Sequence, residues 1–185
     1  MVCVVMRHGR RSSAVDASLV GYNSTDLDHS SPEIWRSVNR VVQQGVPLRQ
    51  IITSPYLRTR QTALMVQYSY LKLTGTYLPI NVDVRLGEYA KRHCRLFTPS
   101  TQEFDKDTLA YYKGHVPLCR ESTDALIQRV SHFYHQLPQD AIIVTHYGIA
   151  DLLGVLAQQQ IKLQEGHYAI LQPVEQTQLI NSPVV

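Results

Sequence analysis

The sequence predicts an α/β fold with a largely parallel sheet in a single domain. Two observations carry this. Short β-branched or apolar runs, Val2–Met6, Gln50–Thr53 and Ile142–Thr145, read as buried strands. Between them lie segments with helical spacing, joined by short connections, which is the pattern of strand–helix alternation. A third observation concerns the strand ends. His8 follows Val2-Cys3-Val4-Val5-Met6-Arg7, and His146 follows Ala141-Ile142-Ile143-Val144-Thr145. Open α/β sheets bind ligands at the carboxyl ends of their strands.

The elements follow in order. Residues 9–30 are polar, carry Gly21 and Asn23, and read as a loop. Ser31-Pro32-Glu33 offers an N-cap, a proline at N1 and an acid in the first turn. Trp35, Val38, Val41 and Val42 then give a helical face, which Gly45 ends. After the strand Gln50–Thr53, Ser54-Pro55 opens a helix with Leu57, Leu64, Met65 and Leu71 on its apolar face. Asn81–Leu86 alternates like a half-exposed strand. Residues 87–120 are irregular and polar, as expected of a lid or substrate loop. Ser122 caps a helix to about Gln136, with Leu126, Ile127, Val130 and Phe133 facing the core. Another helix spans about Ile149–Gln158, and His167–Leu171 reads as the last strand. One domain over 1–185 is expected, with its core in 2–171 and a tail at 172–185.

Composition narrows the function classes. Hydrophobic residues make up 44% and charged residues 18%, which suits a globular domain. The net charge of +3 favours anionic ligands weakly and does not indicate nucleic acid. Scattered tyrosines without basic interleaving give no single-strand platform, so nucleic acid enters only as a substrate. No stretch reaches the ~20 apolar residues of a membrane span. The chain starts directly on a strand, with no secretory leader in view. Cys3, Cys94 and Cys119 form no CxxC pair and suggest neither disulfides nor zinc. A reducing, cytoplasmic setting is expected. The sequence leaves a homodimer open.

Four stations carry chemistry. Arg7-His8-Gly9 ends the first strand, and Ser54-Pro55-Tyr56-Leu57-Arg58-Thr59-Arg60-Gln61-Thr62-Ala63 follows the second. That run puts a guanidinium near a helix N-terminus, where anions are attracted. Leu86-Gly87-Glu88-Tyr89 supplies a carboxyl group, and Thr145-His146-Tyr147-Gly148 the second imidazole. Asp83 is the fallback acid but sits toward the wrong end of its strand. His132 and His135 are three apart on a helix and read as a surface pair, with no third metal ligand in view.

Together these stations resemble the histidine phosphatase superfamily, also called the phosphoglycerate mutase-like superfamily, over about residues 2–171. Glu121-Ser122, with Asp124 and Arg129, is similar to the family's Glu-Ser stretch. The resemblance implies a three-layer sandwich. It implies that His8 is the nucleophile that becomes phosphorylated. Arg7, Arg58 and His146 would surround the phosphoryl oxygens, where negative charge is spread in the transition state. Glu88 would be the general acid and base. No metal or other cofactor is implied. The substrate is a phosphorylated compound: a phosphate monoester, a nucleotide or RNA 5′ end, or a phosphoprotein.

The chain also departs from the family pattern. Arg10, followed by Arg11, stands where many relatives have Glu or Gln. They either meet a polyanionic substrate at the pocket mouth or are solvated loop residues. The short interval between Glu88 and Glu121 favours an open lid, hence hydrolysis over mutase chemistry. The alternatives are a phosphoglycerate-type mutase and a catalytically weak protein that binds a phosphorylated ligand.

Overall fold

Alternate side chains of the central strands point to opposite faces, and this sets the layers. Along β1 (Cys3–Arg7), Cys3 and Val5 join one buried cluster while Val4 and Met6 join another. β4 (Ala141–Thr145) does the same, with Ala141 and Ile143 on one side and Ile142 and Val144 on the other. Both strands are buried on both faces, as expected of parallel strands covered by helices. The computed structural model describes residues 2–10, 32–88 and 121–172.

The sheet has five strands in the order β3-β2-β4-β1-β5. β2 is Gln50–Thr53, β3 Ile80–Val82 and β5 Tyr168–Leu171. The pairs β1–β4, β4–β2 and β2–β3 are parallel, and β5 runs antiparallel to β1. Helices α1 (Glu33–Gln43) and α2 (Leu57–Thr74) cover one face. Helices α3 (Thr123–His135) and α4 (Tyr147–Leu156) cover the other. α1 follows β1 and α4 follows β4, so the connections leaving these two neighbouring strands diverge to opposite faces. Such a point opens a crevice at the carboxyl edge.

Several local expectations are corrected. In α1 the buried face is Ile34, Ser37, Val38 and Val41, while Trp35 is exposed. The stripe is rotated by one residue, because Ile34 rather than Trp35 lies four before Val38. Pro32 occupies the cap position, one residue later than expected, and its carbonyl accepts from Arg36 N–H. Gly45 ends the helix as expected, at φ +65, where a side chain would be strained.

α2 differs more. Leu64 and Leu71 are exposed, and the buried face is Arg58, Thr59, Thr62, Ala63, Val66, Ser69 and Tyr70. Its small and polar inward residues let the helix approach the sheet and turn functional groups inward. Apolar counting finds the wrong face of such a helix. β3 is only three residues long, and Val84–Leu86 forms a 3₁₀ turn instead of continuing the strand. The Asp83 carboxylate accepts from Arg85 N–H, which folds the chain out of the extended form. In α3, Ser122 caps by accepting from Ala125 N–H as expected, while Ile127 is exposed. α4 starts at Tyr147 and ends at Leu156, slightly earlier at both ends than its apolar pattern suggests. Of the lid expected over 87–120, residues 89–120 lie outside the described residues, as do residues 173–185 of the tail expected over 172–185.

Candidate active site

Strand register builds the first half of the site. Arg7 pairs with Thr145, and Thr53 pairs with Val144. The residues that follow, His8, His146 and Ser54, therefore emerge side by side at one sheet edge. The backbone secures them there: His8 N–H donates to Thr145 O at 2.9 Å, and Ser54 N–H donates to Val144 O at 3.0 Å. The two imidazole centroids lie 5.5 Å apart. His8 is 4% exposed and His146 fully buried.

His8 has a defined tautomer. Its Nδ1–H donates to Gly9 O at 2.8 Å, so in the neutral ring Nε2 carries the lone pair. Gly9 is tied down in turn, because its N–H donates to Thr62 Oγ1 at 3.0 Å. The Thr62 hydroxyl donates to Arg58 O at 2.7 Å. One threonine thus joins the segment after His8 to the helix that carries Arg58.

Arg58 and His146 face each other inside the site. Arg58 is 1% exposed and donates from one terminal nitrogen to His146 Nδ1 at 3.1 Å and to a Glu88 carboxylate oxygen. An arginine only donates, so Nδ1 of His146 is unprotonated. Its Nε2–H donates to Ser54 Oγ at 2.9 Å. Burial holds His146 well below the ordinary imidazole value, and the positive charge of Arg58 adds to this. Geometry and electrostatics agree that it is neutral. The Tyr56 ring packs edge-on against His146 at 4.9 Å and lies under the Arg58 guanidinium at 5.2 Å.

Glu88 sits just beyond the 3₁₀ turn, with its side chain 29% exposed. Its carboxylate pairs with Arg58 and lies 3.9 Å from His146 Nδ1. Asp83 is committed elsewhere, paired with the guanidinium of Arg85. Arg7 is partly buried. It donates to Leu163 O at 3.2 Å and to Glu165 at 3.4 Å, and its side chain lies near the Tyr147 ring. Its Nε is a buried donor without a hydrogen-bond partner among the described residues.

The arrangement combines an imidazole of defined tautomer, a buried guanidinium and a carboxyl group that can move a proton. The family model described as histidine phosphatase superfamily (branch 1) matches residues 3–179. The chain belongs to that superfamily. Among solved structures, this superfamily member is similar to TTHB049 from Thermus thermophilus, at 19% identity and a TM-score of 0.59, covering 92% of each chain. It is also similar to a putative alpha-ribazole-5′-P phosphatase from Escherichia coli, at 21% identity and a TM-score of 0.57, covering 92% of this chain and 89% of that one. A mycobacterial glucosyl-3-phosphoglycerate phosphatase matches at 19% identity and a TM-score of 0.59, covering 92% and 89%. At these identities the likeness concerns the fold. No curated protein matches.

Of the residues singled out from sequence, Arg58, Glu88 and His146 are in direct contact, and His8 stands beside His146. Arg7 lies at the same edge with its terminal nitrogens turned to the 163–165 segment. Arg10 is exposed, and Arg11 lies outside the described residues. Ser54, Tyr56 and Thr62 belong to the site as supporting groups, a role that the motifs containing them do not assign. The signal was present: Ser54 immediately follows a strand, and Thr62 lies one helical turn after Arg58. His132 accepts from Gln136 on the surface, away from the site. Among the described residues no group of His, Cys, Asp and Glu is placed to hold a metal ion, and no helix is long and apolar enough to cross a membrane.

Proposed function

We propose that this chain is a metal-independent phosphatase that hydrolyses phosphate monoesters through a phosphohistidine on His8. The single observation that carries the reading is the Nδ1–H bond from His8 to Gly9 O, which leaves the lone pair of the neutral ring on Nε2, in a ring 5.5 Å from that of His146. The family and the fold of the named neighbours support it.

In the first step the Nε2 lone pair forms a bond to phosphorus, the ester P–O bond breaks, and protonated Glu88 gives its proton to the leaving oxygen. In the second step the Glu88 carboxylate takes a proton from water. The water oxygen bonds to phosphorus, the P–N bond breaks, and its electron pair returns to Nε2. Arg58 stabilises charge on the equatorial oxygens throughout. The phosphoryl group competes with Glu88 for the guanidinium and so releases the carboxyl group for proton transfer. Neutral His146 orients Arg58. The arriving negative charge favours its protonated form, whose Nδ1–H donates to the same oxygens. The orphaned Nε of Arg7 is a further donor for the anion.

Exposed Arg10 is assigned to the rim, where an added cation favours substrates with more than one anionic group. The test is a panel of aryl and alkyl phosphates, with and without EDTA, using wild type and His8→Ala. Turnover that survives EDTA and vanishes in His8→Ala is expected. A phosphoenzyme should be trapped by rapid quenching into base, where the P–N bond survives. Activity lost to EDTA, or retained in His8→Ala, overturns the mechanism. Phosphate moved between positions of one substrate with little release indicates a mutase. Tight phosphate binding without turnover indicates a binding protein.

A further inference from the structure

The acid and the nucleophile are held by different devices, and the one that holds the acid is built around Arg129 of α3. We propose that Glu121 and Arg129 are positioning residues that fix Glu88 for proton transfer. Arg129, on α3, donates from one terminal nitrogen to Arg85 O and from the other to Gly87 O at 2.9 Å. These carbonyls flank the last turn before Glu88. The guanidinium is itself aligned by a fork-to-fork pair with Glu121, whose side chain is 4% exposed. Thr145 Oγ1 donates to Leu86 O at 2.9 Å, between the two. Three successive carbonyls are therefore gripped, two of them by one side chain.

The far side of the turn has no slack. A Cβ on Gly87 would come within 3.3 Å of the Tyr56 ring and 3.2 Å of Val84 O. The turn is thus pressed against the aromatic ring that also touches His146. Arg129 makes its hydrogen bonds to the turn and to Glu121; its charge also reaches His146, and the dependence on leaving group and on Glu88 is what assigns its effect to the acid. The inference rests on Glu88 being the general acid.

Leaving-group dependence separates this role from general support of the fold. An alkyl alkoxide needs a proton as it leaves, whereas a nitrophenolate needs little help. The double variant Glu121→Gln/Arg129→Gln avoids an unpaired buried charge. Its kcat on an alkyl phosphate should fall roughly 10- to 100-fold, a fraction of the range for general acid catalysis, and on para-nitrophenyl phosphate only about 3-fold or less. Arg129→Lys, which keeps the charge but grips one carbonyl, should fall between. In a Glu88→Gln background the same double substitution should add almost nothing to the alkyl loss. Circular dichroism and a thermal melt show that each variant is folded. Equal losses on both substrates, or full additivity with Glu88→Gln, overturn the proposal while leaving the phosphatase reading intact. A wild type inactive on both substrates overturns that reading and this inference with it.

Discussion

The two sides of the site are built differently. His8 and His146 leave the centre of the sheet, where neighbouring parallel strands set their spacing through backbone hydrogen bonds. Glu88 leaves a three-residue edge strand and a single 3₁₀ turn, and side chains hold it in place. The first side is almost fully buried, while Glu88 keeps more than a quarter of its side chain in contact with solvent. In the proposed mechanism the group that forms a covalent bond needs a fixed line of attack, which a ladder of hydrogen bonds supplies. The group proposed to move protons between leaving group, itself and water needs access to both. A turn fastened by side chains gives that access.

Substitutions can break this contrast, and the largest effect is expected on the nucleophile side. His8→Ala should lower kcat by roughly 10⁴-fold or more and abolish the trapped phosphoenzyme, since a covalent route loses its attacking atom. Residual turnover within tenfold of wild type would contradict the assignment. On the acid side, Glu88→Gln should lower kcat for alkyl esters by about 10²–10⁴-fold and for aryl esters much less. A uniform loss across leaving groups would make Glu88 a structural partner of Arg58 only.

Smaller effects sharpen the comparison through stability. Thr62→Val keeps the shape but removes the acceptor of Gly9 N–H, leaving a buried donor unmet. A cost of about 1–3 kcal/mol in denaturant unfolding is expected, together with a weakened hold on the His8 tautomer. Stability unchanged within error would show that the loop does not depend on this bond. His146 makes a pH prediction. Its folded pKa is lowered, so between the ordinary 6.5 and that lower value the unfolded chain binds a proton that the folded chain refuses. Stability should therefore fall as pH drops below 6.5, by at most about 1.4 kcal/mol per pH unit from this group. His146→Gln should flatten that slope relative to wild type. An identical slope would mean that the imidazole is not held neutral.

Much of the molecule is legible without coordinates, for physical reasons. Strands buried on both faces are written as continuous apolar runs, so β1 and β4 can be read directly, and the histidines can be seen to follow them. The arginine at a helix start and the Glu-bearing segment are found from motif order. The buried face of α2 escapes such reading because it carries Arg58, Thr59 and Thr62, which hydrophobic periodicity scores as solvent-facing. Asn81–Leu86 escapes it because Asp83 folds its own backbone into a turn, a local hydrogen bond that alternation does not record.

Which side chains the site can have, and that β-branched runs carry them to strand ends, can be read from the chain alone, because burial and periodicity are local properties. Assembly of the sheet puts β4 between β1 and β2, which brings His8, His146 and Ser54 to one edge. It also decided that His146 is neutral, with Arg58 donating to one of its nitrogens and Ser54 accepting from the other. Contacts between residues 88 and 92 positions apart close only when the sheet assembles, and no window of sequence contains them.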